Sequence, residues 1–215
     1  MPLAQVFQQI KRPYLSSAAG RRIGKSRGKH QNLHGILIDK VATVAIKLID
    51  KTCLTILAPM DELSVKALLE DLKKSEETVR DRATTELWRT WFNQKGEYGM
   101  QILRRSQVSL DAGDVRHALD LLTKLISEAP DFAEAWNRRA VLHYTQGNYK
   151  KSIQDCETAI ELNPVHFGAL HGLGLCYAAL GEYRSAIRVF RRALEIQPFA
   201  LVNQKLILEC TARLS

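Results

Sequence analysis

Cysteine is scarce in this chain, with four residues among 215, at positions 53, 156, 176 and 210. They are too few and too scattered for a disulfide framework, and no two have the close spacing of a zinc site. The usage implies small buried thiols in a reducing compartment, cytoplasmic or the stroma or matrix of an organelle. There is no G-x-S-x-G nucleophile elbow. The six histidines are dispersed. His30 and His34 stand four apart without a third ligand, and His166 and His171 flank a helix start. No catalytic constellation converges, so no enzyme, cofactor, metal or small-molecule substrate is expected. Long apolar runs are missing too. The most apolar stretch, 35–58, is interrupted by five charges, which excludes a good transmembrane span.

Acids are absent before Asp39. Residues 1–60 carry ten Lys/Arg against two acids, a net of +8, whereas 61–215 carry 21 of each and are neutral overall. The basic character therefore belongs to the first quarter. Leu3, Val6, Phe7 and Ile10 make a short amphipathic helix that Pro13 stops. Residues up to 34 then read as a basic, flexible arm with Arg21, Arg22, Lys25, Arg27 and Lys29. The same acid-free composition also suits an organellar targeting leader, and both readings stand. Gly20 to Ser26 has the letters of a phosphate-binding loop but is one residue short between its glycines. Only Tyr14 supplies an aromatic, which argues against stacking on nucleic acid.

Residues 35–58 form an amphipathic helix. At about 100° per residue, Asp39, Lys40, Lys47, Asp50 and Lys51 share one sector. Ile38, Val41, Val44, Ala45, Leu48, Ile49 and Ile56 fill the rest. Three uses compete for this face. It packs on the chain itself, its own binding groove included, or lies in a membrane interface with the arm on anionic headgroups, or pairs with a partner helix. Pro59 then breaks the chain. Residues 60–97 read as a helical hairpin, in which Leu72, Val79, Arg80, Ala83 and Leu87 are similar to a single HEAT-type unit. Trp88, Trp91 and Phe92 fall on one face at i, i+3, i+4, a seam expected to cap the first of the repeats that begin at residue 99.

From residue 99 the chain is periodic. Leu170, Leu173, Gly174, Tyr177, Ala186, Phe190, Ala193 and Pro198 recur one period earlier as Trp136, Arg139, Ala140, His143, Ser152, Cys156, Ala159 and Pro164. A weaker copy precedes them: Ile102, Arg105, Ser106, Ser109, Ala118, Leu122, Leu125 and Pro130. The three prolines keep a strict 34-residue spacing. Small residues at 106, 140 and 174, and at 118, 152 and 186, let two helices cross closely. Gly113, Gly147 and Gly181 mark the turns between them. Asp131, three residues before Glu134, comes close to a capping box. Arg139, His143 and Leu125 depart from the pattern.

Pattern and period resemble the tetratricopeptide repeat. The resemblance covers 99–198, as repeats 99–132, 133–166 and 167–200, with 201–215 as a capping helix. It implies an all-α, helical-hairpin superhelix (an α–α solenoid), here with a helical N-terminal extension. It also implies protein–protein binding: an adaptor or assembly factor that holds a peptide or helix in its concave groove. By position, the groove is lined by Arg104, Gln107, Glu134, Asn137, Arg138, Val141, Tyr144, His171, Leu175 and Lys205. Met100, Leu103, Leu110, Gly168, Gly172, Ala178 and Glu209 complete it. Chaperone-tail-binding members hold a peptide carboxylate with Lys and Asn in the first repeat, Asn in the second and Lys or Arg in the third. Leu103, Gln107, Arg138, Gly168 and Gly172 stand at those places, so that clamp is absent. The alternative function is peripheral binding to an anionic membrane surface through residues 1–58, with nucleic acid disfavoured. The chain is expected as a monomer or a weak homodimer.

Overall fold

In the computed structural model the described residues, 62–214, form α-helices joined by short turns, with no strand among them. Helices α1 (Glu62–Asp71) and α2 (Glu77–Asn93) make one hairpin. Three more come after it: α3 (Gly96–Asp111) with α4 (Val115–Glu128), α5 (Ala133–Thr145) with α6 (Tyr149–Leu162), and α7 (Phe167–Ala179) with α8 (Tyr183–Ile196). Helix α9 (Leu201–Ala212) closes the series. This is the all-α hairpin solenoid that the resemblance implies. The arm 1–34, the amphipathic helix 35–58 and the membrane reading placed on them lie outside the described residues.

The first helix of each repeat stops in the same way. Gly113, Gly147 and Gly181 take positive φ, at 83°, 74° and 78°. The next amide then reaches back five residues: Asp114 to the Ser109 carbonyl, Asn148 to His143 and Glu182 to Tyr177. A side chain at the glycine would be strained in this conformation, which is the Schellman ending. Asp114 also accepts the His117 amide at 3.0 Å and caps α4. Pro130, Pro164 and Pro198 each stand just past a helix end, where no amide proton is needed. Asp131 does not complete a capping box: α5 begins after Phe132 with no side-chain cap, and Asp131 pairs instead with Lys95.

The core sits at the helix crossings. Ala118, Ala140, Ser152 and Ala186 are essentially unexposed, and Gly174 lies directly beneath the Phe190 ring. Small residues thus do what their spacing predicts: they bring two backbones close and leave the bulk to Phe190 and its neighbours. The departures are absorbed rather than loosened. Arg139, where the pattern has Leu, makes two 2.8 Å bonds to the Asp155 carboxylate and lies 4.9 Å from the Trp136 ring centroid. His143 approaches the same carboxylate at 3.8 Å. Leu125 is buried in the first-repeat core with Phe132, Leu103 and Leu122.

Candidate partner-binding face

The first helices α3, α5 and α7 present the groove positions, and the structure divides them into two halves. At the N-terminal ends of these helices the positions are internal. Glu134 is fully buried. Its carboxylate accepts from Arg138 Nε at 2.7 Å, from His166 Nε2 at 3.0 Å and from Asn137 Nδ2 at 3.1 Å. His166 Nδ1 accepts the Ala169 amide at 3.1 Å. The proton of a neutral ring must therefore sit on Nε2, facing the carboxylate. Arg138 continues to Gln107 Oε1 at 2.9 Å, which ties α5 to α3. Burial alone would raise the Glu134 pKa, but Arg138 and then His166 outweigh it and hold the carboxyl below its ordinary value. A buried carboxylate with three donors is a satisfied one.

Helix α2 covers this half. Trp91 stacks on His166 with centroids 4.5 Å apart, and Trp88 meets Phe167 edge-on at 5.3 Å. The Phe92 ring lies 4.8 Å below the Arg138 guanidinium. At one end Gln94 donates to the Asp131 carbonyl; at the other Thr84 accepts from Gln197 and Arg80 lies over Phe199. From residue 80 to 94 a helix rises about 21 Å, enough to cross two helix spacings of about 10 Å each. So α2 straps both junctions between repeats and the join between the third repeat and α9. The aromatic seam does not simply cap the first repeat: Phe92 joins that core, whereas Trp88 and Trp91 bury against the start of the third. Gly168 is the counterpart. A Cβ there would lie 2.5 Å from Trp88, so only glycine lets the indole seat.

Of the ten groove residues read from the sequence, Gln107, Glu134, Asn137 and Arg138 form the internal network under α2. His171 turns to Asn203 of α9, with Nδ1 2.6 Å from Oδ1, and burial pulls its pKa down. Arg104 is exposed, and so is Lys205, 3.8 Å from Glu209. Val141, Tyr144 and Leu175 are half-buried, as is Leu110, at the C-terminal half of the face. Tyr144 lies against Tyr149, centroids 5.4 Å apart, and burial raises its pKa. The pattern by position missed Trp88, Trp91 and His166 as parts of this face. The signal was present as a tryptophan pair at i, i+3 and a glycine in mid-face.

Residues 131–198 match the family model described as tetratricopeptide repeat. A TPR repeat-containing protein of Rhizobium etli is 42% identical over 81 residues, 38% of this chain and 40% of its own length. A Protein SGT1 homolog of Bos taurus is 32% identical over 90 residues, 42% of this chain and 27% of its own. The chain thus spans less than half the length of these curated relatives. Among solved structures, the first TPR of Spaghetti (RPAP3), bound to the HSP90 peptide SRMEEVD, superposes with a TM-score of 0.52 at 20% identity. The match covers 54% of this chain and 91% of that one. The Sgt2 TPR domain from Aspergillus fumigatus gives 0.50 at 19%, over 53% of this chain and 77% of its own. At these identities the likeness is one of fold.

Proposed function

This chain carries a domain of the tetratricopeptide-repeat family, and from that premise we propose that it is a non-catalytic adaptor. It takes an apolar-faced peptide or helix on the C-terminal half of its first-helix face. One observation carries the reading: α2 fills the N-terminal half, and Val141, Tyr144, Leu175 and Leu110 remain part-open beyond it. An aliphatic and aromatic strip of this kind suits a helix laid with its apolar side down. Exposed Arg104 and Lys205 supply polar contacts at the margins.

Capture of a terminal carboxylate is not part of this reading. Leu103 is buried, Gln107 is engaged by Arg138, and Gly168 lies under Trp88. The partner is therefore selected by its apolar side chains. The test is capture from native extract with full-length bait, wild type beside Tyr144→Glu/Leu175→Glu, with circular dichroism showing that both fold. A partner held by the wild type and lost by the variant supports the adaptor reading. Its binding should change little between ~50 and ~200 mM salt, unlike binding driven by a basic arm. A partner that ignores both groove substitutions and is lost on deleting residues 1–58 refutes it.

A further inference from the structure

Two thiols stand outside this reading. Cys156 on α6 and Cys176 on α7 are free and buried. They meet where the two helices cross. Cys176 Sγ donates to Ser152 Oγ at 3.1 Å, and a Cβ on Gly172 would lie 3.4 Å from Cys156 Sγ. Ser152 is one turn before Cys156, and Gly172 is one turn before Cys176. Each sulfur therefore touches the other helix one turn from the opposite cysteine. Ser152, Cys156, Gly172 and Cys176 are all small residues, which lets the backbones approach closely. A disulfide needs that approach, with Cα atoms about 4.4–6.8 Å apart. Gly172 is part-exposed on the first-helix face and places no side chain over Cys156.

We propose that Cys156 and Cys176 are an oxidisable thiol pair at which a peroxide closes a disulfide between the second repeat and the third. The proposal rests on the α6–α7 crossing and is independent of what the groove binds. Cys176 attacks first. The neighbouring Cys156 thiol lowers its pKa, and burial opposes this. Contact with Cys176, together with burial, holds Cys156 well above the usual thiol range. The Cys176 sulfur attacks one peroxide oxygen, the O–O bond breaks, and the other oxygen leaves as water with the thiol proton. The sulfenic acid so formed is attacked by the Cys156 sulfur. The S–S bond forms, the S–O bond breaks, and the hydroxyl departs as water with the second proton. Two thiols lose two electrons, and one peroxide becomes two waters. Cys210 is buried in the next layer beside Phe190.

The test uses the full chain, reduced without oxygen and then treated with stoichiometric hydrogen peroxide. The protein is denatured in N-ethylmaleimide and mapped by mass spectrometry without reduction. The expected map links the Cys156 peptide to the Cys176 peptide, lighter by two hydrogen atoms, with Cys53 and Cys210 alkylated. In Cys156→Ala, dimedone should label Cys176; in Cys176→Ala it should leave Cys156 unlabelled. Recovery of Cys156 and Cys176 both alkylated from the folded wild type overturns the proposal, as does linkage of either to Cys53 or Cys210. The wild-type map decides the matter even where a variant fails to fold.

Discussion

Three glycines on one helix supply a test in which the sign of the effect decides. Gly168, Gly172 and Gly174 all lie within α7. Replacing an open helical glycine by alanine stabilises by about 0.8–1 kcal/mol. Gly172→Ala should behave so, because the nearest atom to the new Cβ is Cys156 Sγ at 3.4 Å, an ordinary contact. Gly168→Ala places its Cβ 2.5 Å from Trp88. That ring is 7% exposed and walled in by Trp91, His166 and Phe167 at 5.3–5.5 Å between centroids. It has nowhere to retreat. Overpacking of this kind costs about 1–3 kcal/mol, so after the propensity gain the net loss reaches about 2 kcal/mol. Gly174→Ala puts its Cβ 2.4–2.8 Å from three atoms of the Phe190 ring, which is fully buried, and should lose more. The assay is urea denaturation followed by circular dichroism and by tryptophan fluorescence, with Trp88→Leu as the rescuing partner of Gly168→Ala. If Gly168→Ala stabilises as Gly172→Ala does, α2 does not lie across the first-helix face.

Further outcomes are expected. Glu134→Ala leaves the buried His166 N–H and Asn137 amide without this acceptor and strips the part-buried Arg138 of its carboxylate, and should cost about 3–5 kcal/mol in chemical denaturation. Because the folded pKa of Glu134 is depressed, its contribution is complete above the ordinary carboxylate range and lost as the pH falls through its lower folded value. The stability advantage of the wild type over Glu134→Gln should therefore be full near neutral pH and shrink as the pH falls through the folded value. Trp91→Ala should cost about 3–5 kcal/mol and release α2 from the third repeat, read as faster amide exchange along residues 77–93. Restoring the pattern residue with Arg139→Leu alone should destabilise, since the buried Asp155 carboxylate loses its two arginine bonds. Adding Asp155→Val, the residue type found one repeat later at Val189, should recover the loss in a double-mutant cycle.

How much could be read from the letters depends on the range of the interaction. The hairpins, their glycine turns and their interhelical prolines are set by contacts within one 34-residue unit. A left-handed turn at Gly147 or a close crossing at Gly174 needs nothing beyond its neighbours, so period and pattern declare it. The groove positions were legible as positions but not as surfaces. Whether Glu134 or Tyr144 meets solvent depends on what lies above it, and α2 is separated from them by some 40 to 60 residues of chain. An aromatic pair on one helix face announces burial but not its partner, since Trp88 finds Phe167 only because α2 is long enough to cross two repeat junctions. In the same way Arg139 reads as a flaw until Asp155, on the facing helix, turns it into an ion pair. The sequence by itself determined the repeated hairpin, because that unit closes on local geometry. Tertiary structure alone decided which half of the face is core and which half is open, because burial is a property of neighbours that the chain brings from afar.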